Sequence, residues 1–290
     1  MIELKGCGTA LVTPFVDGEV DYEAYAALLE RQIEAGVDFL VPLATTGETP
    51  TLSREEKIAL LKLTRGLAGN IPLLVGCGSN SVPATLENMK LLEPCGVDAW
   101  LVVVPFYNKP TQEGQYQYFK AIAAATDKPV VIYNVPWRTG ANMTAQTCLR
   151  LARDVDNIIA IKEASGKIEQ VKEILAGAPK GFAVLSGDDD MTLEMMRYGA
   201  AGVISVASNA APEKLVAMTS AALEGNFDEA AAIDAKLQPL FKNCFVESNP
   251  IPVKAALSLL GLCTAEVRLP LSEATPQTKD IMRETLANLN

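Results

Sequence analysis

The chain has 290 residues, long for an ordinary domain but within the range of a single α/β barrel. With 49% hydrophobic and 21% charged residues it is globular in composition, which excludes a disordered chain. A net charge of −10 argues against nucleic acid or an anionic membrane as partner.

The predicted elements alternate strand and helix. Gly8–Thr13 reads as a first strand, and Asp21 caps a helix that runs to Ala35 and stops at Gly36. Asp38–Leu43 is the second strand, and Ser53-Arg54-Glu55-Glu56 opens the next helix with a capping box. Ile71–Gly76, Ala99–Val104 and Pro129–Asn134 are strands three to five, each followed by a helical stretch. Strand six is Asn157-Ile158-Ile159-Ala160-Ile161-Lys162. Simple alternation puts Ile159 and Ile161 on one face, and Ile158, Ala160 and Lys162 on the other. Phe182–Ser186 and Gly202–Val206 complete eight strands. Near-continuous apolar strands separated by helices indicate parallel pairing covered on both faces. The expected fold is therefore α/β, a (β/α)8 TIM barrel with a helical C-terminal extension. Residues 1–224 would form the barrel and residues 225–290 a helical domain. An open doubly wound sheet would want a G-x-G-x-x-G loop, and none follows a strand here.

Absent residue types narrow the chemistry. There is no histidine, which removes Ser-His-Asp and Cys-His catalysis and the commonest transition-metal ligand. The six cysteines form no C-x-x-C pair and read as free thiols, so no metal site and no cofactor is expected. The opening apolar segment ends at Pro14, too short for a signal peptide or a membrane span, and the expectation is a cytoplasmic protein.

Barrel sites lie at the C-terminal ends of the strands. Those ends carry Thr45-Thr46-Gly47-Glu48, Tyr107, Tyr133, Arg138, Lys162, Gly187-Asp188-Asp189-Asp190 and Ile204-Ser205. A lysine among apolar neighbours has a depressed pKa and more neutral amine for attack on a carbonyl. The plain alternative is a lysine snorkelling to water or paired with Glu163. Hydroxyls of two tyrosines and a threonine could relay protons without histidine. The run Asp188-Asp189-Asp190 reads most simply as a cap for the helix beginning at Met191. Together the set suits a 2-keto acid held as a Schiff base, with the arginine spare for a second carboxylate.

These residues resemble the dihydrodipicolinate synthase family of pyruvate-dependent class I aldolases. The resemblance rests on Thr45-Thr46-Gly47-Glu48, Pro105-Phe106-Tyr107-Asn108, Tyr133-Asn134-Val135-Pro136-Trp137-Arg138-Thr139-Gly140, Ile161-Lys162-Glu163-Ala164-Ser165-Gly166, Gly187-Asp188-Asp189 and Asn249-Pro250-Ile251-Pro252-Val253-Lys254, and covers essentially the whole chain. It implies that Lys162 forms an imine with pyruvate, and that Thr46, Gly187 and the backbone near Ile204 hold the pyruvate. Tyr133 would move protons in a relay with Thr45 and with Tyr107 from a neighbouring subunit, and Arg138 would bind the carboxylate of aspartate semialdehyde. The implied assembly is a homotetramer, a dimer of dimers. The alternative on the same scaffold is a lyase for a sugar acid of the N-acetylneuraminate or 2-keto-3-deoxy type, which has no need of the Arg138 clamp. The resemblance also implies a lysine-feedback site at Arg54, Lys57, Asn80, Ala84 and Phe106, of which only Asn80 fits, so weak or absent feedback is expected.

Overall fold

The computed structural model describes residues 2–289. Eight strands form the centre: β1 (Gly6–Ala10), β2 (Phe39–Val41), β3 (Leu74–Gly76), β4 (Ala99–Val103), β5 (Val130–Asn134), β6 (Ile158–Glu163), β7 (Ala183–Ser186) and β8 (Gly202–Ser205). Each pairs in parallel with its neighbour, and β8 returns to β1 through Gly6 opposite Gly202. A single parallel bridge, Leu40 to Leu73, joins β2 to β3 and closes the ring. Helices separate the strands, giving the expected (β/α)8 barrel. Beyond residue 225 the described residues hold three helices, Phe227–Asn243, Ile251–Leu259 and Pro276–Ala287, and no strand. No helix among the described residues is long and apolar enough to cross a membrane.

Two apolar clusters follow from strand alternation. The inner one, inside the barrel, includes Phe39, Leu74, Leu101, Val131, Ala160, Leu185 and Ile204. The larger one lies between strands and helices and includes Leu40, Trp100, Ile132, Ile161 and Val203. Local signals behave as the residues dictate. Asp21 accepts from the Ala24 amide at 2.9 Å, and Ser53 and Glu56 make the reciprocal capping box.

Three expectations need correction. The first strand begins at Gly6 and ends at Ala10, so Thr13 lies beyond it and donates its hydroxyl to the Gly47 carbonyl at 2.8 Å. Gly6 and Gly202 set that start: a Cβ on Gly202 would stand 2.0 Å from the Gly6 carbonyl oxygen. A short antiparallel hairpin, Phe15–Val16 with Glu19–Val20, follows the first strand and was not expected. In β6 the alternation breaks. Val130 faces Ile158 but Val131 faces Ala160, so Ile159 is an extra, bulged residue. Ile158 joins the outer cluster with Ile161, while Ile159 packs against the inner one with Ala160. The bulge lies upstream of Lys162, which keeps its inward direction.

Candidate active site

Lys162 and Tyr133 occupy matched positions on β6 and β5, register partners across two parallel strands. Both therefore point into the barrel at its C-terminal mouth. The Lys162 Nζ lies 4.4 Å from the Tyr133 ring centroid. Among the described residues it makes no hydrogen bond or ion pair, and Glu163 is not its partner: as the next residue on the strand, Glu163 points the other way. Burial lowers the Lys162 pKa to about 8, opposed by the nearby Asp188 and Asp189 charges. Burial likewise pushes the Tyr133 phenol up to about 12, so it stays protonated at neutral pH.

A small cavity of about 20 Å³ opens onto this pair, and Thr45, Thr46, Arg138, Gly187, Asp188 and Asn249 line it with them. Thr45 and Thr46 lie on a single turn of 3-10 helix, Thr45–Gly47, that follows β2. The Asn249 side-chain amide donates to the Thr46 hydroxyl at 3.0 Å. Arg138 comes from a short helix, Pro136–Thr139, at the end of β5. Its guanidinium stacks 4.1 Å from the Trp137 ring and donates to the Asn249 carbonyl at 3.3 Å. Gly187 must be glycine: a Cβ there would stand 2.7 Å from Ala164 Cβ and 3.1 Å from the Lys162 chain. Ile204 is fully buried on β8 in the inner cluster.

Tyr107 is elsewhere. It is 87% exposed, on a loop where its φ is +73°. Beside the cavity, an apolar cleft shares Thr45, Arg138 and Asn249 with it and is walled by Phe106, Val135 and Leu271. None of the five residues at the positions where the resemblance implies a lysine site lines the Lys162 cavity. Arg54 pairs with Glu87 at 3.0 Å, and burial with the Arg54 charge lowers the Lys57 pKa. Asn80 lends its carbonyl to the Asn108 side chain at 2.9 Å, Ala84 donates its amide to the Ser81 cap, and Phe106 is half exposed.

The aspartate run sits where the sequence reading put it, with Asp188 at the N-cap position of a 3-10 turn, Asp189–Met191, that leads into the helix beginning at Thr192, but its side chains do more than cap. Asp188 makes no side-chain cap bond. It faces the cavity, where burial and then the Asp190 charge raise its pKa to about 7. Asp189 turns inward, and its Oδ2 accepts the Val206 and Ala207 amides at 3.0 Å each, so it fixes the chain leaving β8. Among the described residues no three acidic or thiol groups are placed to hold a metal ion.

Two supports were not legible as such. Lys254, fully buried, donates to Glu48 Oε1 and to the Thr13 carbonyl, both at 2.8 Å. Glu48 takes a left-handed φ of +51° directly after the Thr45–Gly47 turn, so this ion pair ties the helix Ile251–Leu259 to the turn that lines the cavity. Both residues stood in quoted motifs, but only the fold pairs them.

A family model described as the dihydrodipicolinate synthetase family matches residues 3–289. The chain is 51% identical to the 4-hydroxy-tetrahydrodipicolinate synthase of Phocaeicola vulgatus over 99% of its own length and 97% of the relative's. The crystal structure of the dihydrodipicolinate synthase from Thermotoga maritima superposes with a TM-score of 0.97 at 45% identity, covering 98% of each chain. A solved structure described as the first monomeric dihydrodipicolinate synthase variant matches with the same TM-score of 0.97 at 45% identity, over 98% of this chain and 96% of that one.

Proposed function

Because the chain belongs to the dihydrodipicolinate synthetase family, we propose that it condenses pyruvate with L-aspartate 4-semialdehyde to 4-hydroxy-tetrahydrodipicolinate, in lysine and diaminopimelate biosynthesis. The observation that carries the reading is a lone buried lysine amine set over a tyrosine ring, with an arginine in the same cavity. Neutral Lys162 attacks the pyruvate carbonyl, and loss of water leaves an imine. Removal of a methyl proton gives the enamine, which attacks the aldehyde carbon. Tyr133 carries protons in these steps, with Thr45 beside it. The amine of the added semialdehyde then attacks the imine carbon, closes the ring and frees Lys162. Thr46, held by Asn249, and Gly187 with the backbone near Ile204 hold the pyruvate end. Arg138, fixed by Trp137 and the Asn249 carbonyl, binds the second carboxylate. That contact separates this reading from a sugar-acid lyase.

Tyr107 enters the relay from a second subunit. The apolar cleft beside Thr45 and Arg138 and the exposed, left-handed Tyr107 support this exchange. A homotetramer built from two such dimers in the cytoplasm follows from the same reading, with residues 1–224 as barrel and 225–290 as helical domain. Feedback by lysine is weak or absent, because Arg54 and Lys57 place cations where a cationic ligand would bind and Ala84 offers no acid. Half inhibition at sub-millimolar lysine would refute that point.

The test is borohydride reduction in the presence of pyruvate, followed by peptide mass analysis. The expected result is a single adduct on Lys162, and an unmodified protein rejects the mechanism. Condensation with aspartate semialdehyde, measured against cleavage of sialic and 2-keto-3-deoxy acids, then tests the second substrate.

A further inference from the structure

Behind the Lys162–Tyr133 pair, on the outer side of the same two strands, lies a second matched pair. Asn134 follows Tyr133, Glu163 follows Lys162, and the two are register partners. Both are buried, Asn134 completely and Glu163 at 2% exposure. The Asn134 side-chain amide donates to both carboxylate oxygens of Glu163, at 3.2 and 3.0 Å. Glu163 also accepts the Ser165 amide at 2.8 Å and the Gln170 side-chain amide at 3.0 Å. Asn134 is itself held, since its carbonyl oxygen accepts the Met143 amide at 2.9 Å and its NH2 donates to Asn142 at 2.9 Å.

This arrangement is specific in chemistry. Every group aimed at Glu163 in these bonds is a donor, and no cation pairs with it among the described residues. Only an acceptor-only side chain satisfies them all, which a carboxylate is and a glutamine is not. A buried carboxylate held by neutral donors is costly. Nothing in the proposed chemistry consumes that charge, because the strand aims it away from the cavity. What the contact does control is the lateral fit of β5 against β6 at the one level where their inward side chains are Tyr133 and Lys162.

We infer that Glu163 and Asn134 form a positioning clasp that holds the Tyr133 phenol against the Lys162 amine. The inference rests on the imine reading above, because those two groups are its reacting pair. The clasp acts through the strands, so its loss disturbs proton transfer more than pyruvate capture. On that reading Thr46, Gly187 and the backbone near Ile204 hold the pyruvate end; Thr46 lies on the Thr45–Gly47 turn, and Gly187 meets Glu163 only through its backbone carbonyl, so the clasp's side chains touch neither.

The test uses the full-length enzyme with pyruvate and aspartate semialdehyde, beginning with borohydride trapping of the wild type. A wild type that does not trap pyruvate overturns the imine reading and the clasp with it. Given trapping, Glu163→Gln is expected to lower kcat by about tenfold to a hundredfold with KM for pyruvate within about threefold, the signature of displaced reacting groups. Should Glu163→Gln not fold, Asn134→Ala removes the cross-strand donor while Ser165 and Gln170 still hold the carboxylate, and the same loss in kcat is expected. A Glu163→Gln or Asn134→Ala enzyme with kcat within about twofold of wild type overturns the clasp alone.

Discussion

Lys162 and Lys254 are both buried, and each ammonium lies against an aromatic ring, 4.4 Å from Tyr133 and 4.3 Å from Phe15. Burial lowers the pKa of both. They differ in what else they touch. Lys254 has the Glu48 carboxylate and the Thr13 carbonyl within hydrogen-bond distance, whereas Lys162 has no such partner among the described residues. An ion pair returns much of the desolvation cost and favours the charged form. Lys254 is thereby a tether between chain segments far apart in sequence. Lys162 keeps the cost and is left with an amine that loses its proton near pH 8. On the imine reading, what suits Lys162 to be the nucleophile is depth without an acceptor, not depth alone.

The same substitution at both positions separates the two roles. Lys162→Met is expected to lower kcat by on the order of 10⁴-fold or more and to abolish borohydride trapping. Its stability in guanidinium should stay within about 1 kcal/mol of wild type or rise, since an unpaired desolvated amine is removed. Lys254→Met is expected to do the reverse. It leaves Glu48 buried without its cation and should cost about 3–5 kcal/mol, read from the denaturation midpoint at fixed protein concentration. Replacing Glu48 by Gln in the same chain should recover part of that loss. If Lys254→Met were as stable as wild type, the tether would be no tether.

The sequence carries this comparison unevenly. The eight strand–helix units are legible because each strand is a short apolar run bounded by caps and turns, and Lys162 was legible as the charged residue in such a run. The bulge at Ile159 was not, because one inserted residue changes no composition and only reverses which isoleucine faces inward. The Asp189 hold on the Val206 and Ala207 amides looks, in sequence, like any acidic helix start. Lys254 and Glu48 are 206 residues apart, and nothing local in either segment announces the other. Local periodicity writes the barrel; long-range polar pairing appears only when the barrel closes.

The third expectation concerns the other cation of the cavity. Arg138→Ala should lower kcat/KM for aspartate semialdehyde by about a hundredfold, the loss of one bidentate carboxylate contact, while pyruvate alone still traps on Lys162. Equal losses in trapping and condensation would mean that Arg138 supports Lys162 and not the second substrate.

The smallest effect is the most direct reading of the contrast between the two lysines. The neutral amine is the attacking form, so the rate of imine formation should rise about tenfold per pH unit below the Lys162 pKa and level off above about 8. Asp188 shares the cavity, and its negative charge favours the ammonium. Asp188→Asn removes that charge, so the midpoint should move down by less than about one unit, and imine formation at pH 7 should become faster. The carboxyl of Asp188 itself titrates at about 7, so the two groups exchange influence over the same interval and the wild-type profile should be broader than a single ionisation. The variant should sharpen it. A midpoint that moves down by several units would mean that Asp188 pairs with the ammonium directly and that Lys162 is closer in kind to Lys254 than the structure makes it; a midpoint that stays or moves upward would mean that the Asp188 charge does not act on Lys162.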